Sequence, residues 1–335
     1  MLPKIFLVIG LALVLSGCSL GLPTGSGISS GSIWKSFDNG QTFAPKITVD
    51  EKTKISSADV LSFVFDSQNS QIIYIGTKEN GIFKTADGAE HWERLTFPPL
   101  KVYGLTMDKQ NSDRLFASGV YQDVAKMYRS TDAGKNWKEM YTEPGKGTVI
   151  TALGSNPNMP DTLYAGTSAG VVIKSTDGGE TWKNVLVAQG PVTKILFREG
   201  EREMVTLLVF NSGVEFSSDG GQSWNDYSKQ ALPFSNATNV QPDGIVALTA
   251  DIMNHNDLYV GAKNGLFRSA DNGKSWKSLT IIESSKKFPV HAIAINPQHS
   301  NEIVYADGNA FYRSVDGGAK CATTQLQIDR GLVSI

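Results

Sequence analysis

Seven aspartates, Asp38, Asp87, Asp132, Asp177, Asp219, Asp271 and Asp316, each follow a Ser or Thr by two residues. Carboxylates beside hydroxyls suit three chemistries. Paired at a set distance they hydrolyse glycosidic bonds. Gathered around one point they hold Ca²⁺, which takes roughly six to eight oxygens. One alone accepts backbone N–H groups and fixes a turn. Each string here supplies a single carboxylate, so the turn is the expected use, and no metal or cofactor is expected. The four histidines, His91, His255, His291 and His299, are scattered without metal-ligand spacing.

The strings are octapeptides, called boxes below: SFDNGQTF, TADGAEHW, STDAGKNW, STDGGETW, SSDGGQSW, SADNGKSW and SVDGGAKC. From Asp to Asp they are spaced by 49, 45, 45, 42, 52 and 45 residues. Glycine supplies the positive φ angles that a tight reversal needs. The residue closing the box, Phe43, Trp92, Trp137, Trp182, Trp224 or Trp276, is expected to pack on its own or a neighbouring unit. A Trp buries on the order of 150–250 Å². Two boxes depart from the rule: Ala89 stands at the usual glycine position, and Cys321 replaces the aromatic.

The elements that position these turns repeat with them. Before each box runs a short strand ending in a basic residue (IWKS, IFKT, MYRS, VIKS, LFRS, FYRS), broken only by VEFSS. Upstream lies a strand of Tyr-x-Gly character (IIYIGT, TLYAGT, DLYVGA), and before that an alternating one (VLSFVFD, VYGLTMD, IVALTAD, VHAIAINP). A polar–apolar run such as WKNVLV follows each box. Four short strands per repeat of about 45 residues predict β-propeller blades. The fold class expected over 33–335 is all-β: a seven-bladed propeller of four-stranded antiparallel blades with box turns. The chain enters at a third strand and six full repeats follow. The seventh blade is shared by both termini and short of a strand. The basic residues Lys35, Lys84, Arg129, Lys174, Arg268 and Arg313 are expected to lay their stems over the tryptophans of adjacent blades, heads in water.

These strings resemble the Asp-box, or BNR, repeat Ser-x-Asp-x-Gly-x-Thr-Trp of sialidases, xyloglucan-active glycosidases, sortilin-type receptors and photosystem II stability/assembly factor-like proteins. The resemblance covers nearly the whole chain after residue 32. It implies the propeller; one repeat serves hydrolases, receptors and assembly factors alike. In size and layout the chain is most similar to the assembly factor-like group, which implies a protein-binding role.

The ends suggest export. Lys4 precedes an apolar run from Ile5 to Leu15, and Leu15-Ser16-Gly17-Cys18 resembles a bacterial lipobox. Residues 1–17 are expected to be a signal peptide, Cys18 the lipidated residue and 18–32 a Gly/Ser-rich tether reaching on the order of 20 Å. The expected location is the periplasmic or extracellular face of a bacterial membrane. With Cys18 acylated, Cys321 has no disulfide partner. Loss of residues 1–17 removes Lys4 and takes the formal net charge from −2 to −3, a balance that gives no sign of nucleic-acid binding.

An enzyme of the sialidase type should carry Arg-Ile-Pro and three convergent arginines. The first is absent, and outside the boxes and the C-terminal end only Arg94, Arg114, Arg198 and Arg202 remain. The expectation is a monomeric, non-enzymatic, membrane-tethered scaffold for a protein partner; the alternative is a glycoside hydrolase or glycan binder. The partner site is sought where blades differ. The charged stretch FREGEREM, expected as the fourth-to-fifth blade connection, and the insert 227–244 are such places, with Phe234 as a contact candidate.

Overall fold

The structure, a computed structural model, describes residues 6–10, 33–49, 55–226, 244–279, 289–325 and 332–334, apart from 39, 41, 56, 57, 199, 211, 255 and 309. Cys18, the tether and Phe234 lie outside the described residues. The order opens with β1 (Phe6–Gly10), β2 (Ile33–Ser36) and β3 (Ala44–Pro45). Blade 1 is β4 (Val60–Phe65), β5 (Ile73–Thr77), β6 (Ile82–Thr85) and β7 (Glu93–Arg94). Blade 2 is β8 (Lys101–Asp108), β9 (Asn111–Tyr121), β10 (Val124–Ser130) and β11 (Lys138–Lys146). Blade 3 is β12 (Ile150–Ser155), β13 (Leu163–Thr167), β14 (Val171–Ser175) and β15 (Lys183–Val187). Blade 4 is β16 (Val192–Arg198), β17 (Glu201–Val209), β18 (Gly213–Ser217) and β19 (Asn225–Asp226). Blade 5 is β20 (Ile245–Ala250), β21 (Leu258–Ala262), β22 (Gly265–Ser269) and β23 (Lys277–Ser278). Blade 6 is β24 (Val290–Asn296), β25 (His299–Asp307), β26 (Ala310–Ser314) and β27 (Ala322–Gln325), and β28 (Leu332–Ser334) ends the order.

The architecture is an all-β propeller of four-stranded antiparallel blades. Six blades, rather than the expected seven, are each built from contiguous sequence. The remaining sheet runs β28-β1-β2-β3 and joins the two ends of the chain. It was expected to lack a strand. Instead Phe6–Gly10, inside the apolar run read above as a signal segment, pairs antiparallel with Ile33–Ser36 and with Leu332–Ser334. Every residue of β2 is buried.

Adjacent blades touch through their first strands: β4 on β8, β8 on β12, β12 on β16, β20 on β24. The core is accordingly divided among blade interfaces. Tyr74 and Ile82 of blade 1 pack with Val102, Leu115 and Tyr128 of blade 2, and Tyr259 and Leu266 of blade 5 pack with Val290, Ile303 and Tyr305 of blade 6. Such nearest-neighbour contacts are how repeat folds accumulate stability. The glycine of Tyr-x-Gly makes the approach possible. A Cβ on Gly166 would stand 2.5 Å from the Val192 side chain, and one on Gly261 only 2.1 Å from the Val290 carbonyl oxygen.

Candidate functional site

The boxes close the third hairpin of each blade. In SSDGGQSW the buried Ser217 hydroxyl donates to Asp219 Oδ1 at 2.8 Å and accepts the Gly221 N–H at 2.7 Å. Asp219 in turn accepts the Ser223 N–H at 2.9 Å and its hydroxyl at 2.5 Å. The same Ser/Thr-to-Asp bond occurs at Asp38, Asp87, Asp132, Asp177, Asp271 and Asp316. Bonds from Ser223 and Ser217 hold the Asp219 carboxyl at about 2, and those from Asn136 and Ser130 do the same for Asp132. At Asp87 burial pushes upward but the His91 N–H and ring and the Thr85 hydroxyl outweigh it, again to about 2.

Two consecutive residues of each turn from the second box onward have positive φ, from Gly88 (69°) and Ala89 (74°) to Gly317 (73°) and Gly318 (91°). Ala89 thus occupies a conformation that costs an L-residue roughly 1–2 kcal/mol. The indole N–H of Trp137, Trp182, Trp224 and Trp276 donates back to the second of these residues, Gly134, Gly179, Gly221 and Gly273, at 3.0–3.2 Å. The indole rings then lie on the preceding blade, as Trp137 does on Phe97 with centroids 4.8 Å apart. Trp92 instead donates to the Lys46 carbonyl, Phe43 packs edge-on to Phe311, and Cys321 sits beside Leu279 with its sulfur 3.8 Å from the Tyr305 hydroxyl.

The basic residues do something other than expected. Four of the charged heads lie over strand tyrosines or the adjoining phenylalanine, not over box tryptophans: Lys84 over Tyr74, Lys174 over Tyr164, Arg268 over Tyr259, Lys35 over Phe37. Three heads bond backbone carbonyls, that of Lys35 out of water. Lys35 donates to the Gly88 carbonyl at 2.6 Å, Arg129 to Gly178 at 2.8 Å and Lys174 to Gly220 at 2.8 Å, each reaching the box of the next blade. The Tyr164 hydroxyl joins Lys174 on Gly220 at 2.8 Å. The reason is the turn itself: its two left-handed residues aim a carbonyl outward that needs a donor. Arg268 and Arg313 pair with Asp257 and Glu302.

The buried carboxylates are committed to structure. Asp66, Asp108 and Asp251 accept N–H groups in the first hairpins of their blades. Asp307, raised by burial, accepts from the Tyr312 hydroxyl. FREGEREM is not a connection between blades but the β16–β17 hairpin within blade 4, in which Arg198 pairs with Glu201 in the ladder. Among the described residues no group of three or more His, Cys, Asp or Glu is placed to hold a metal, and no helix is long and apolar enough to cross a membrane.

The blades differ at their axis. A cavity of about 500 Å³ is lined by the first strands of all six contiguous blades. Each of these strands breaks register with its neighbour at the same place, between Val60 and Ser62, Val102 and Gly104, Ile150 and Ala152, Val192 and Lys194, Ile245 and Ala247, and Val290 and Ala292. A bulge frees one residue from the ladder and re-aims it. The freed residues are Leu61, Tyr103, Thr151, Thr193, Val246 and His291, and all six line the cavity. This ring is the candidate site. Leu61 and Val246 make an apolar part; Tyr103, Thr151 and Thr193 put hydroxyls on three consecutive blades, and Lys194 lies beside them. Desolvation holds His291 below the usual imidazole range. Sequence reasoning missed the ring, although stacking the six first strands on their leading Val or Ile aligns it.

Against known proteins, a family model described as Sortilin, neurotensin receptor 3, matches residues 125–262. A comparison with curated protein sequences found no match. Among solved structures the chain is similar to the GH74 xyloglucanase of Xanthomonas campestris, with a TM-score of 0.62 at 17% identity over 79% of this chain. It spans only 45% of that enzyme's length. YCF48 from Cyanidioschyzon merolae has a TM-score of 0.59 at 16% identity, covering 82% of this chain and 87% of its own. A structure of YCF48 bound to D1 peptide has a TM-score of 0.60 at 15% identity over 83% and 87%. At these identities the likeness establishes the propeller fold alone.

Proposed function

We propose that the protein is a membrane-tethered, extracytoplasmic propeller that binds a protein partner, anchored by a lipid on Cys18. The observation that carries the reading is the match with YCF48 over 87% of its length, in a structure with bound D1 peptide, against a match to under half of the xyloglucanase. The carboxylates of the rim are held by turns and ion pairs, and the axial cavity among the described residues is lined by hydroxyls, a lysine and a histidine without an acid pair. In this reading the chain is a monomer whose seventh blade closes the ring, and the residues around Phe234 contact the partner.

Crosslinking in intact membranes followed by co-purification tests it. One protein should be recovered with the full chain and lost when 231–240 is replaced by a Gly/Ser turn; recovery of none overturns the reading. Palmitate labelling that disappears in Cys18→Ala tests the anchor. Processing before Cys18 would also remove β1, so mass spectrometry of the mature N-terminus decides which role residues 6–10 take. The xyloglucanase likeness supports a second reading as a glycan hydrolase. Release of reducing ends from xyloglucan by the purified chain, lost on a single carboxylate substitution, would replace the scaffold reading.

A further inference from the structure

Aligned on their bulges, the first strands read VLSF, VYGL, ITAL, VTKI, IVAL and VHAI. At the third place five blades carry Ser62, Gly104, Ala152, Ala247 or Ala292, and blade 4 carries Lys194. The small residues serve packing: Ala152 and Ala292 are 5% and 4% exposed, and a Cβ on Gly104 would stand 3.0 Å from that of Leu153. Lys194 in the same register reaches the cavity and its water. Surrounding strands desolvate it and lower its pKa. Among the described residues it has no ion-pair partner, and the cavity lining contains no Asp or Glu. The rim cations Arg129, Lys174, Arg268 and Arg313, by contrast, are all engaged. Its side chain is open to the cavity, so its ammonium is the one formal charge that the described lining residues present to a ligand there.

The neighbours narrow what that is. The Thr151 hydroxyl donates to the Val192 carbonyl at 2.6 Å and the Thr193 hydroxyl to that of Leu208 at 3.4 Å, so neither proton is free for a ligand and the donors left to an anion are on other side chains. Tyr103 and His291 bring an O–H and a ring N–H, and Leu61 and Val246 bring apolar surface. A single lysine matches a single negative charge. We propose that the axial cavity binds a small organic carboxylate, its charged end on Lys194 and its apolar body along Leu61 and Val246. About 500 Å³ is ample for such a molecule. The carboxylate has two possible sources, a free small acid or the C-terminus of an extended chain entering the channel. The proposal goes beyond the scaffold reading and does not depend on it.

The test is NMR of the full chain labelled at lysine Cε, the Lys194 signal being assigned by its loss in Lys194→Ala. Benzoate should shift that signal saturably and neutral benzamide should not. Benzoate affinity, read in the variant from the Tyr103 ring signals, should fall about tenfold or more in Lys194→Ala, as loss of a charged hydrogen bond implies. It should persist in Lys194→Arg and in the rim control Lys84→Ala. N-acetyl-Leu-Val as free acid and as amide separates the sources. Acid binding about tenfold tighter than benzoate, with a silent amide, assigns the carboxylate to a chain terminus; comparable affinity assigns it to a free acid. Equal responses to benzoate and benzamide, no response, or unchanged affinity in Lys194→Ala overturns the proposal. Because alanine is the residue of three other blades at this place, Lys194→Ala should fold, which its urea midpoint verifies.

Discussion

The rim and the axis of this propeller obey opposite rules. At the rim every blade repeats one device: a hydroxyl and a carboxylate lock a left-handed turn, an aromatic closes it in all but blade 6, and a cation or tyrosine of the preceding blade often caps its carbonyl. At the axis each blade repeats only a backbone feature, the bulge, and puts a different side chain on it. Sameness marks the part whose task is geometric and identical in every blade. Difference marks the part with something to recognise.

The contrast is sharpest if rim variants lose stability while ligand capture by the folded protein is unchanged, and axial variants do the reverse. Trp276→Ala, removing a ring that is 4% exposed between blades 4 and 5, should cost about 3–5 kcal/mol in urea unfolding. Gly261→Ala should cost roughly 1–3 kcal/mol, since its Cβ meets a backbone carbonyl that cannot swing aside. Ser217→Ala strips the acceptor from the Gly221 N–H and should cost about 1–2 kcal/mol. A rim variant that abolishes ligand capture while still folded would break the comparison.

Acid should reach the rim first. The box carboxyls sit lower in the folded chain than their unfolded value of about 3.9, so their contribution is complete above that pH and is lost as pH falls through about 2. The thermal midpoint should therefore decline between about pH 4 and pH 2, and Asp132→Asn should flatten that decline. Smallest of all is Ala89→Gly: relief of the positive φ is offset by loss of a fully buried methyl, leaving a gain under about 1 kcal/mol.

The strand count per repeat, the strand order within a blade and the turn role of the aspartates were legible because each is a local pattern repeated many times. What was not legible depended on the next blade. Lys174 reads as a solvated cation in sequence but bonds Gly220 of blade 4, and the glycine of Tyr-x-Gly reads only as a strand residue although Val192 and Val290 press against it. The axial ring escaped because bulged residues follow no period: Tyr103 and His291 read as ordinary members of alternating strands. Lys194 was visible as an intruder among small residues, but only after the bulge supplied the alignment. Residues 6–10 were legible as apolar and short, which fits a strand as well as an export signal.

The six bulges also bear on how such a chain can change. A residue outside the ladder carries no pairing duty, and on an inner edge it carries little packing duty. Leu, Tyr, Thr, Val and His already share that place in one molecule, so the backbone accepts chains of very different size and polarity there. A library randomised at Leu61, Tyr103, Thr151, Thr193, Val246 and His291 would vary a single pocket on a frame left intact. The propeller is in this sense a ready-made receptor scaffold, with its variable positions already marked by the backbone.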